Sequence, residues 1–175
     1  MIAWYLLVFC RITIGLVFVL SFGGKVRNIS EFQETILRFH LLPRRLSKAA
    51  ALLFLGSELA VVVGMIAGGS FLFPAFVLAF LLLLLFSCAM ISVLMRGLST
   101  SCNCFGTSQK PVTATDIWRN VGFLLCASGG AIAALWTQNI SLNPTFSLWL
   151  LAALGAGVFV LIWIQLGEIT RLLSQ

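Results

Sequence analysis

The chain has 175 residues, 61% of them apolar and 9% charged, where a soluble domain carries about a quarter charged. With a mean hydropathy of +1.10, it has too little polar surface for an aqueous fold and belongs in a lipid bilayer. The formal charge of +6 forms no basic stripe interleaved with aromatics, so nothing points to a nucleic-acid partner.

A helix crosses the hydrocarbon in roughly 20 residues, and five stretches qualify. The first, residues 3–22, has no basic segment before it and no small-residue cleavage site after it. It therefore reads as a retained span and not as a signal peptide. The segment NISEFQETILRFHLLPRR that follows is too polar to cross. Its Ser30 and Gln33 resemble a capping box, Phe32, Ile36 and Phe39 recur at helical spacing, and Pro43 ends the run. This predicts a short helix, either lying in the interface with its arginines on headgroups or packed on the bundle as a polar connection. Residues 49–67 form the second span, the tight turn AGGS leads into a third at 71–95, and further spans follow at 117–136 and 146–164. The expected fold is all-α: a polytopic transmembrane bundle of four core spans plus a fifth C-terminal one. At this length, residues 1–175 make one membrane domain.

Basic residues sort to one face. Lys25, Arg27, Arg38, Arg44, Arg45 and Lys48 lie between the first two spans, and Arg96, Lys110 and Arg119 flank the third connection. Arg171 is in the tail, and Arg11 lies inside the first span. The positive-inside rule then places the amino terminus outside and the connection after span three in the cytoplasm.

That connection holds STSCNCFGTSQKP, with Cys102 and Cys104 separated by Asn103. A Cys-x-Cys disulfide must bend its backbone to bring the sulfurs together, and strained, exposed disulfides tend to be labile or catalytic. Asn103 tolerates left-handed geometry, and Arg96, Lys110 and Arg119 would favour the reactive thiolate. Redox-active thiols, a metal site and incidental loop cysteines compete as readings. Against a metal, two sulfurs cannot close a tetrahedral shell, and the single His40 lies in a distant connection.

Within the spans, counting about 1.5 Å per residue from the basic face puts Arg11 roughly 16 Å and Glu58 roughly 15 Å deep. Charges at that depth are expensive, so the two are expected to pair. The pair either fixes helix register or orients a quinone headgroup or relays a proton. Lys25, just after SFGG, would either snorkel to lipid phosphate or reach back into the bundle. Cys88 and Cys126 fall at similar depths, roughly 10 to 14 Å, as core packing or as a buried electron relay. Cys10 reads as packing toward the opposite face.

The order CRITIGLVFVLSFGGKVRNISEFQETILRFHLLP, GSELAVVVGM, CNCFG and DIWRN resembles the MauE family of the MauE/DoxX redox-associated group, over roughly residues 4–136. The matching positions are Arg11, Gly24, Lys25, Phe32, Pro43, Glu58, Cys102, Cys104, Phe105, Gly106, Arg119 and Asn120. The resemblance implies a bacterial inner-membrane accessory protein that helps mature a disulfide-rich periplasmic dehydrogenase beside a thioredoxin-like partner. For DoxX relatives it implies quinone-linked sulfur oxidation. The functional expectation is thiol/disulfide exchange through Cys102 and Cys104, supporting maturation or electron supply of a redox protein, with a quinone as candidate cofactor. The alternative is a non-catalytic assembly subunit of a membrane electron-transfer complex. A small transporter fits less well, because the spans hold almost nothing ionisable to line a polar path.

Overall fold

The computed structural model describes residues 2–38, 44–96, 114–137 and 146–173. They form α1 (Ile2–Arg27), α2 (Ile29–Arg38), α3 (Arg44–Ala67), a 3-10 turn (Gly69–Phe71), α4 (Leu72–Met95), α5 (Ala114–Thr137) and α6 (Phe146–Leu173). Hydrocarbon offers no partner for a backbone N–H or C=O, so apolar runs of this length must satisfy every amide internally as helices. Four stretches, Ala3–Arg27, Leu46–Ala67, Gly69–Met95 and Thr115–Thr137, are long and apolar enough to cross, and α6 carries the shorter apolar stretch Trp149–Trp163. The fold is the expected membrane bundle of four spans plus a further C-terminal helix.

α1 is longer than its apolar run implies. It continues past Phe22 through two glycines to Arg27, so Lys25 lies on the helix and not beyond it. At about 1.5 Å per residue its 26 residues measure about 39 Å, more than the hydrocarbon thickness. A single turn residue, Asn28, separates it from α2: the Asn28 amide donates to the Lys25 carbonyl at 3.3 Å and that of Phe32 to the Asn28 carbonyl at 3.1 Å. Helix α2 thus starts at Ile29, which puts Ser30 in its first turn and not at a cap. Phe32 packs with Ala51 and Leu55, so α2 is fastened to α3.

α1 lies against α3, α5 and α6; α4 lies against α3 and α5; α6 rests on α1 and α5. The enclosed core includes Ile14, Val17, Val61, Phe76, Ala79 and Phe123. Outward faces carry exposed Leu52, Leu53, Leu85, Leu125 and Leu151, the surface that acyl chains cover. Trp4 and Trp149 meet edge to face at the end away from the basic residues, and Trp118 is exposed at the basic end, the placement of interfacial aromatic anchors.

Close helix approach in lipid depends on small residues. A Cβ at Gly130 would run into the ring of Phe76, which is fully buried. Beside it, a Cβ at Gly129 would meet nothing within 4 Å. Gly130→Ala should therefore lower stability by about 1–3 kcal/mol through overpacking, while Gly129→Ala leaves it unchanged or slightly raised. Thermal unfolding of the two variants in detergent checks this contrast.

Candidate functional site: a buried ion pair beside a cavity

The polar centre of the bundle joins α1 to α3. Lys25 is 3% and Glu58 2% exposed, and their side chains form a direct ion pair between Nζ and Oε1. Ser21, one turn before Lys25, accepts from its ammonium at 3.0 Å and donates to Glu58 Oε1 at 2.9 Å. The i, i+4 spacing on α1 places both groups over the same carboxylate. The second carboxylate oxygen, Oε2, is buried and accepts no hydrogen bond from the protein.

Three phenylalanines surround the ammonium. Nζ lies 5.1 Å from the Phe32 ring centre, 4.5 Å from Phe54 and 5.7 Å from Phe86, all within range of a cation–π attraction that strengthens when desolvated. These rings come from α2, α3 and α4, so one lysine gathers three further elements.

A cavity opens beside the pair. Its walls run from Leu82 and Phe86 past Glu58 to Asp116, Arg119 and Asn120 in the first turns of α5. Its empty space, open mouth included, is about 460 Å³.

α5 is tied to α4 by a polar clamp. Asn120 Nδ2 donates to the Leu83 carbonyl at 3.1 Å and to Ser87 Oγ at 2.7 Å, and Ser87 Oγ donates to the same carbonyl at 2.9 Å. Arg119 pairs with Asp116 at 3.2 Å. Trp163 Nε1 donates to the Arg119 carbonyl at 2.9 Å, docking α6. Arg96 caps the end of α4 and is exposed. Cys102, Cys104 and Lys110 lie outside the described residues.

Arg11 does not pair with Glu58. Its Nε donates to the Met65 carbonyl at 2.7 Å and its Nη2 to the Ile66 carbonyl at 3.1 Å, and its guanidinium lies 5.5 Å from the Trp149 ring. Those carbonyls belong to the last turn of α3, where Gly68 (φ 73°) donates its amide to Gly64. That single bond satisfies one terminal carbonyl and leaves the next two free; Arg11 takes them, and its charge complements the helix dipole. Met65 is seven residues beyond Glu58, about 10 Å further along α3, so the arginine and the glutamate sit at different levels.

Of its two courses, Lys25 takes the one back into the bundle and does not snorkel. Sequence reasoning missed it as the partner of Glu58 because the apolar run ends at Phe22; the available signal was Ser21 four residues ahead of it. The Cys88–Cys126 relay, one of the two readings of these thiols, is not formed either. Cys88 is exposed, while the Cys126 thiol lies beside that of Cys10, because this face of α5 turns toward α1.

Fold and site together define a polytopic membrane protein built around a buried, aromatic-caged ion pair next to a half-open cavity. The chain belongs to the MauE family: the family model for methylamine utilisation protein MauE matches residues 3–137. It is 35% identical over 135 residues to the methylamine utilization protein MauE of Paracoccus denitrificans, a match covering 76% of this chain and 69% of that relative. No solved structure matches the chain. The matched residues include α1 to α5 and stop short of α6.

Removing one member of a buried pair strands the other charge. Lys25→Met should destabilise the protein by about 3–5 kcal/mol, and the Lys25→Met/Glu58→Leu double variant should recover much of that loss. Denaturant unfolding of the single and double variants measures the coupling; simple additivity would show that the two side chains act independently.

Proposed function

We propose that this protein is a bacterial inner-membrane accessory factor of methylamine utilisation, exchanging disulfides through Cys102 and Cys104 to support maturation or electron supply of a redox protein. The observation that carries the reading is the Cys-Asn-Cys sequence in the connection between α4 and α5. Membership of a family named for methylamine utilisation supports the physiological setting. Arg96 at the end of α4 and Lys110 bring positive charge to that connection, while Arg119 in the second turn of α5 is paired with Asp116. Such charge favours the thiolate. The charge bias supports an amino terminus outside and this connection in the cytoplasm.

The exchange follows ordinary thiolate chemistry. One loop thiolate attacks a disulfide sulfur of a thioredoxin-like partner or client, forming a mixed disulfide and expelling one partner thiolate. The second loop thiolate then attacks the mixed disulfide. The loop pair ends oxidised and the partner holds two thiols; the reverse sequence oxidises the partner.

Trapping with an alkylating mass tag tests the exchange. Cys102 and Cys104 should change redox state together when a thioredoxin-like partner is supplied, and Cys102→Ser/Cys104→Ser should abolish activity. Activity kept in that double variant would favour an assembly subunit. A membrane-impermeant thiol reagent should label Cys102 from the cytoplasmic side of oriented vesicles.

A further inference from the structure

We propose that Arg11 clamps the phosphodiester of an anionic phospholipid in the leaflet opposite the basic face of the bundle. The site is independent of the thiol chemistry of Cys102 and Cys104. A guanidinium carries five N–H donors in a planar fork. Arg11 commits one edge of that fork to α3: Nε donates to the Met65 carbonyl at 2.7 Å and Nη2 to the Ile66 carbonyl at 3.1 Å. The other edge, formed by Nη1 and the second hydrogen of Nη2, meets no acceptor among the described residues, and the side chain is only half-buried. Two parallel N–H groups on one edge match two oxygens of a phosphate, the bidentate geometry that a lysine cannot offer.

No acidic residue of the chain neutralises this cation. The sequence has five, and all stand elsewhere. Glu58 is bound to Lys25, about 10 Å along α3 from Met65. Glu31 and Glu34 belong to α2, which packs on Ala51 and Leu55 of α3, at least ten residues before Met65. Asp116 pairs with Arg119 in the first turns of α5. Glu168 follows Trp149 by nineteen residues on α6, about 28 Å along the helix. The α3 dipole supplies about half a negative charge at its C-terminus, and Trp149 offers its ring 5.5 Å away. A net positive site remains, at the end of the bundle that holds no other charged side chain among the described residues.

The position suits a headgroup. The apolar stretches of α3 and α4 meet at the turn beside Arg11, one ending at Ala67 and the next opening at Gly69, so the guanidinium stands at the edge of the hydrocarbon. Gly68 faces it without a side chain. A Cβ there would lie 3.0 Å from Nη2 and 3.3 Å from Nη1, so glycine keeps both nitrogens uncovered. A Cβ on Gly69 would meet nothing within 4 Å, which leaves room beside the turn. Ile66 and Phe71, on either side of it, are exposed and offer apolar surface to acyl chains. An anionic lipid such as phosphatidylglycerol is favoured over phosphatidylethanolamine, whose own ammonium competes for the phosphate.

Solid-state NMR of the full chain in phosphatidylglycerol bilayers tests the clamp. Cys10–Arg11 is the one Cys–Arg step in the sequence, so carbonyl-¹³C cysteine combined with uniformly ¹³C,¹⁵N-labelled arginine singles out this residue. Lipid ³¹P should dephase its guanidinium carbon strongly, as a direct contact does. Phosphatidylethanolamine should dephase it less, and inorganic phosphate added to phosphorus-free glycolipid bilayers should not dephase it. No dephasing in phosphatidylglycerol overturns the proposal, and so does equal dephasing by phosphatidylethanolamine or by inorganic phosphate. In native mass spectrometry the unmodified protein should retain one more phosphatidylglycerol per chain than Arg11→Gln; equal counts overturn the clamp. If Arg11→Gln fails to fold, the NMR of the unmodified protein still decides.

Discussion

A lysine and a glutamate inside hydrocarbon are tolerable only in contact, and that requirement ties α1 to α3. An isolated charge at such depth costs roughly 2.5–3.5 kcal/mol even on the lenient insertion scale. The Lys25–Glu58 pair therefore fixes the rotation of both helices and their relative height, since a shift of one residue would turn one partner toward lipid. The phenylalanines around the ammonium extend this control to α2 and α4. In a membrane, where apolar side chains gain little by meeting one another instead of lipid, such polar ties carry the specificity that a hydrophobic core supplies in water.

Two other polar ties act at different places. Arg11 closes the far end of α3 by taking the carbonyls of Met65 and Ile66, which leaves the turn after Gly68 free to reverse the chain. Asn120 binds α5 to α4 through Leu83 and Ser87. Between these points the contacts are apolar and close, with Gly130 admitting Phe76 and Gly122 admitting Trp163. The cavity lies where two of the ties meet, bordered by Glu58 on one side and Asn120 on the other.

The bundle was legible in the sequence because an apolar run of about 20 residues has few alternatives in a bilayer. The pairing of charges was not. Counting depth from the basic face assumes that helices end in one plane, whereas α1 runs on to Arg27 and α3 begins at Arg44. The count put Arg11 level with Glu58, yet the structure sets Arg11 against the last turn of α3 and brings Lys25 inside. Depth also says nothing about which face of a helix meets which neighbour. It grouped Cys126 with Cys88, while the turn of α5 toward α1 places Cys126 beside Cys10. Gly24, Lys25, Glu58, Arg119 and Asn120, marked through the family resemblance, all fall in or next to the site. For Cys102 and Cys104 the case rests on sequence.

The account stands on direct contact between the ammonium of Lys25 and the carboxyl of Glu58 within the membrane. Solid-state NMR of the protein in lipid, with ¹⁵N at the lysine side chain and ¹³C at the glutamate carboxyl, measures that contact through dipolar coupling. The account predicts a strong coupling that vanishes when Lys25 is replaced. A lysine signal uncoupled from any glutamate, and reporting exposure to water or lipid headgroups, would contradict it.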